Sequence, residues 1–69
     1  MNNDTAIDIA IKFLDTLPFR EMYKQTPVKI NDKGDTFEVW FEREVPSKPL
    51  HGLVKIRKSS GEASWISLR

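Results

Sequence analysis

His51 is the only histidine in a chain with no cysteine, so the side chains that most often carry catalysis and metal binding are nearly absent. A histidine acting as general base needs a nucleophile or a polarised water within hydrogen-bond reach. The stretch around it, Lys48-Pro49-Leu50-His51-Gly52, nominates neither. Without thiols, disulfides and Cys-ligated zinc are excluded, and only carboxylates remain as ligands for a hard cation. The acids of the N-terminal segment, Asp4, Asp8 and Asp15, share it with Lys12. Acid–base work by a carboxylate pair requires one member in an apolar pocket to raise its pKa. These lie on a polar arc, where Asp8 and Lys12, four residues apart, pair across one helical turn. No Gly-rich phosphate loop, nucleophile elbow or metal motif occurs. The expectation is a protein that is not an enzyme and uses no cofactor or metal.

Recognition chemistry is what remains. Thr36-Phe37-Glu38-Val39-Trp40-Phe41-Glu42 alternates cleanly, which marks a half-buried strand with Phe37, Val39 and Phe41 inward. Trp40 then falls on the wet side with Thr36, Glu38 and Glu42. Placed beside Lys55 or Arg57 and Trp65 on neighbouring strands, it would make an aromatic and basic surface; an inward Trp65 is the open alternative, since Ile66 and Leu68 define the other face only weakly. Such a surface serves a protein contact, stabilises the sheet itself through cation–π and cross-strand pairs, or grips single-stranded nucleic acid by stacking. Glu38 and Glu42 on the same face would repel phosphate. The candidate partner-binding residues are Trp40, Leu53, Lys55, Arg57 and Trp65, joined by Lys48 from the connection Glu44–His51, where Pro46 and Pro49 limit flexibility around Ser47, Lys48 and His51. Phe19, Met22 and Tyr23 read as a lid over one end of the core, with a peptide-binding edge as the lesser use.

The elements that must position these residues follow from periodicity and punctuation. From Asp4 to Leu17 the spacing is helical, with Ala6, Ala10, Phe13 and Leu17 on one face, Ile7, Leu14 and Ile9 flanking them, and Ile11 at the boundary. Asn3, Asp4 or Thr5 is the expected cap. Pro18 ends this helix and suits the start of a further turn through Phe19–Lys24. Val28–Ile30, Phe37–Glu44, Leu53–Arg57 and Ala63–Leu68 are the expected strands. Asn31-Asp32-Lys33-Gly34 and Lys58-Ser59-Ser60-Gly61 are the expected turns. Fold class is therefore α+β: an N-terminal amphipathic helix with a short second helical turn, packed on a four-stranded antiparallel meander. The expected core is Ile7, Ala10, Phe13, Leu14, Leu17, Val28, Ile30, Phe37, Val39, Phe41, Val54, Ile56, Ile66 and Leu68.

Sixty-nine residues make one domain, residues 1–69, of modest stability. Net charge is +1 with the signs interspersed, so no polybasic membrane segment or nucleic-acid tail is present. The polar start Met1-Asn2-Asn3-Asp4 does not read as a secretory leader. No apolar run approaches the length of a membrane span. A cytoplasmic location is expected.

Helical Ala6-Ile7-Asp8-Ile9-Ala10, then Val28, Phe37-Glu38-Val39-Trp40, Val54-Lys55-Ile56 and Gly61-Glu62-Ala63, resembles the pattern of PepSY-type domains. It is also similar to small immunity-type proteins in which a helix precedes a curved meander. The resemblance implies a small non-catalytic module that binds or inhibits another protein. The expected partner is thus another protein, or a second copy, through the sheet face or the edge of the last strand. That edge, Ala63–Leu68, carries no charge, unlike the short first strand with Lys29 beside Pro27. Single-stranded nucleic acid is the alternative partner, and no membrane is expected.

Overall fold

A computed structural model describes residues 1–45 and 51–67. The chain forms α1 (Asn3–Asp15), a 3-10 turn (Arg20–Met22), and strands β1 (Lys29–Asp32), β2 (Thr36–Glu42), β3 (His51–Arg57) and β4 (Ala63–Ser67). The strands lie in the order β1-β2-β3-β4, each antiparallel to the next, with α1 across one face. The expected class, one helix and a short helical turn on a four-stranded antiparallel meander, is the fold.

α1 begins one residue before the expected start. Its cap is Asn2, whose Oδ1 accepts from the Thr5 N–H at 2.8 Å, and not Asn3, Asp4 or Thr5. The helix stops at Asp15, three residues ahead of Pro18, with the Thr16 hydroxyl donating to the Phe13 carbonyl at 2.7 Å. Asp8 and Lys12 pair at 3.1 Å on the exposed side, as their spacing predicts. The helix seats Ala6, Ala10 and Leu14 against the sheet. Two alanines on this face let the helix axis approach closely, so the phenylalanines of β2 fill the interface.

β2 keeps the predicted register. Phe37, Val39 and Phe41 are buried against α1, with Val54 and Ile56 of β3 beside them. Each such aromatic or branched side chain contributes roughly 1.5–3 kcal/mol on burial. The hairpin register differs from expectation: Asn31 and Asp32 are strand residues opposite Glu38 and Phe37, and the connection is Lys33-Gly34-Asp35. Gly34 takes φ of 90°, a conformation that costs glycine least. Gly61, at φ 75°, closes the β3–β4 turn, its N–H donating to the Arg57 carbonyl at 2.7 Å. These two turns sit at one end of the sheet and are tied together. Lys58 Nζ donates to Asp32 Oδ1 at 2.7 Å and lies 4.4 Å from the Phe37 ring centroid, and the Lys58 N–H donates to the Asp35 carbonyl.

The expected core needs correction at its margins. Val28 is 51% exposed and Ile66 39% exposed, while Ile7 is only half-buried. Phe13, Leu17 and Ile30 pack on the core without being fully enclosed. The core also takes in Ala6 from the apolar face of α1, Tyr23 from the lid, and Leu53; Thr36, expected on the wet side, is buried too. β3 begins at His51, so His51 and Gly52 are ladder residues and not loop. β2 ends at Glu42, two residues earlier than expected. Leu68 of the expected core, and Ser47 and Lys48 of the expected loop, lie outside the described residues. Among the described residues, no helix is long and apolar enough to cross a membrane.

Candidate functional site

Register decides what each face of the sheet presents. One row across the open face runs Lys29–Trp40–Leu53–Ile66, and the next runs Asn31–Glu38–Lys55–Ser64. Across the helix face one row runs Ile30–Val39–Val54–Trp65. Trp65 therefore sits on the opposite side of the sheet from Trp40, Leu53 and Lys55. The predicted surface of Trp40, Lys55 and Trp65 side by side is not formed, because successive residues of a strand alternate between faces. The reason is the Gly61 turn, which sets Ala63 opposite Ile56 and so Trp65 opposite Val54.

On the open face, Trp40 is half-buried and enclosed by its own neighbours. Lys29 Nζ stands 4.5 Å from the indole centroid, and the His51 ring meets it edge-on at 6.1 Å. Its Nε1 is buried without a hydrogen-bond partner among the described residues. Leu53, beside it, is 4% exposed. Glu42 gathers two nitrogen groups, Lys24 Nζ at 3.1 Å and His51 Nε2 at 3.8 Å. Lys55 and Arg57 are exposed and line a shallow depression of about 110 Å³ with Thr36, Glu62 and Ser64. Of the candidate residues, Trp40, Leu53, Lys55 and Arg57 thus share one face; Trp65 does not, and Lys48 lies outside the described residues.

Trp65 belongs to a different assembly, built from the segment after Pro18. The 3-10 turn swings Phe19 and Tyr23 back toward the sheet. Met22, Tyr23 and Lys24 are then zipped to the end of β2: Lys24 N–H donates to the Glu42 carbonyl at 2.9 Å, and Glu44 N–H to the Met22 carbonyl at 2.9 Å. Tyr23 and Arg43 face each other in an isolated antiparallel bridge. Arg43 continues the alternation of Phe37, Val39 and Phe41, so its side chain emerges on the helix face.

The result is a cluster of three aromatic rings. Tyr23 and Trp65 meet at 4.8 Å between centroids and 71° between planes, Phe19 and Trp65 at 5.3 Å, and Phe19 and Tyr23 at 6.1 Å. These tilted geometries place positive ring edges on negative faces. Arg43 Cζ lies 5.8 Å from the Tyr23 ring, a cation–π distance. Phe19, Met22, Tyr23, Arg43, Trp65 and Ser67 line an open cleft of about 310 Å³. Tyr23 is buried, in keeping with the lid reading, but Met22 is exposed at the rim and the cleft stays open. Arg43 Nε is buried and has no hydrogen-bond partner among the described residues. Arg43 is the cleft residue that the sequence did not nominate.

The cleft borders the edge of β4 that no described strand covers. Arg57 N–H donates to the Glu62 carbonyl at 2.9 Å, and alternation from that bonded pair turns the backbone of Ser64 and Ile66 toward β3. The N–H and C=O groups of Ala63, Trp65 and Ser67 therefore point away from the sheet. Two of these, Trp65 and Ser67, also line the cleft, with Trp65 Nε1 donating to Ser67 Oγ at 3.4 Å. Among the described residues, no group of three or more His, Cys, Asp or Glu side chains is placed to hold a metal ion. Comparison with protein-family models, curated proteins and solved structures found no match to this chain.

Proposed function

We propose that this protein is a non-catalytic interaction module that works in the cytoplasm and binds another protein at the β4 edge. The observation that carries the reading is an uncharged edge strand, Ala63-Ser64-Trp65-Ile66-Ser67, whose outward backbone groups adjoin an aromatic cleft. An edge of unpaired donors and acceptors is a template for strand addition, with pockets beside it supplying selectivity. The opposite edge is less receptive. β1 carries Lys29 and Asp32 and is preceded by Pro27, which has no donor. The likeness of the sequence pattern to PepSY-type and immunity-type modules points the same way.

The test is recovery of the tagged protein from its host with identification of what co-purifies, followed by Ser64→Lys in the edge strand. Binding to the recovered partner should fall sharply in that variant while its circular dichroism spectrum stays native and its melting transition drops only slightly, from the repulsion of Lys55 opposite. Undiminished binding by the variant, or turnover of a small molecule by the purified protein, would overturn the reading.

A further inference from the structure

The cleft beside β4 has features that specify an occupant. Its walls are the rings of Phe19, Tyr23 and Trp65 with Met22 at the rim, and its one charged lining group among the described residues is Arg43. The guanidinium is anchored over Tyr23 and brings a buried Nε with no partner among the described residues. A purely apolar occupant would desolvate this charge without pairing it, and a cationic one would be repelled. A carboxylate matches the planar fork of the guanidinium, whose N–H groups are spaced to grip both oxygens. The occupant must thus carry an apolar body and an anion close together, in a cleft of about 310 Å³. That volume is at the small end of ligand sites. The backbone groups of Trp65 and Ser67 that face outward beside it are complementary to a polypeptide, which a free acid would not use.

We propose that this cleft receives the carboxyl-terminal residue of a partner chain. The large apolar side chain lies among Phe19, Tyr23 and Trp65, the terminal carboxylate meets Arg43, and the preceding residues pair with β4. A C-terminal residue is the one place in a peptide where an α-carboxylate and a side chain share a single Cα. An internal acidic residue on the same face would be two positions away, roughly 6.6 Å along an extended strand. This inference rests on the strand-addition reading of β4 and adds the chemistry of what is recognised.

The probes are acetyl-Ser-Thr-Val-Phe with a free carboxylate, the same peptide as its C-terminal amide, and 3-phenylpropionate, each titrated into the nitrogen-15-labelled protein at constant ionic strength. The free-acid peptide should bind roughly ten-fold more tightly than the amide, the ratio expected for one charge-assisted hydrogen-bond pair. It should shift the Trp65 indole signal and the amides of Ala63–Ser67. Arg43→Gln should bring the acid down to the affinity of the amide and leave the amide unaffected, and Arg43→Lys should retain only part of the preference. Equal binding of acid and amide, or no shift at Trp65 with millimolar peptide, overturns the assignment. Binding of 3-phenylpropionate as tight as that of the peptide assigns the cleft to a small acid and overturns it equally. A partner that is lost by Ser64→Lys but unaffected by Arg43→Gln would leave β4 docking intact and remove the carboxylate site alone.

Discussion

The benzo ring of Trp65 occupies the space above Gly52 that the Cβ of any other residue would require. A Cβ built on Gly52 falls 2.6 Å from Trp65 Cη2 and 3.1 Å from Cε2. Gly52 is thus the seat of the indole, and the indole in turn supports Phe19 and Tyr23. Gly52→Ala should destabilise the domain by about 1–3 kcal/mol, since the ring must shift and disturb both neighbours. In a Trp65→Leu background the same change should cost much less, because the flexible side chain yields. Urea denaturation of the four proteins measures this coupling directly. Additive effects would show that the two residues are not in contact.

Phe41 and Ile66 are both large apolar strand residues with opposite fates. Phe41 is wholly buried beneath α1 and Ile66 is 39% exposed on the open face. Phe41→Ala should cost about 3–5 kcal/mol, enough to unfold most of a domain this small. Ile66→Ala should cost less than about 1 kcal/mol. Thermal melting separates the two outcomes, and a similar loss in both variants would refute the assignment of faces.

Asp32 is held below its ordinary pKa of 3.8, first by the hydrogen bond from Lys58 and next by the N–H of Gly34. A carboxyl group with a depressed pKa in the folded state binds its proton more readily when unfolded. Its contribution is present above the unfolded value and disappears as pH falls through the folded one. Asp32→Asn should therefore be less stable than the natural protein at neutral pH, and the gap should close on acidification below about pH 4. The group is solvent-exposed, so added salt should narrow the gap as well. A gap that persists at low pH would mean that the charge on Asp32 is irrelevant to it.

Asn2 caps α1 with a single side-chain hydrogen bond to Thr5. Asn2→Ala should lower stability by about 1 kcal/mol, and Asn2→Asp should preserve it or improve on it through the helix dipole. Equal loss in both variants, measured by urea midpoint, would place the cap elsewhere.

Trp40 and Trp65 sit on opposite faces, so oligonucleotide binding should not quench both. With a short single-stranded oligonucleotide at low salt, tryptophan emission should stay flat. Quenching that disappears with rising salt would instead signal phosphate contact and favour a nucleic-acid partner.

The sequence by itself determined the elements and one face of the sheet. Alternation from Phe37 to Phe41 settled which side of β2 is buried, Pro18 ended α1, and Gly34 and Gly61 marked the hairpins. These are local signals, set by backbone sterics and the period of two. The side occupied by Trp65 was decided only in three dimensions. In Ala63-Ser64-Trp65-Ile66-Ser67 the two large apolar residues are adjacent, so they fall on opposite faces whichever way the strand is turned, and periodicity expresses no preference. Pairing with β3 made the choice. Tertiary structure likewise buried Tyr23 and drew Arg43 into the cleft, because both depend on the segment after Pro18 zipping onto the far end of β2. Some 20 residues of chain separate those partners, and nothing in either stretch alone records that they meet.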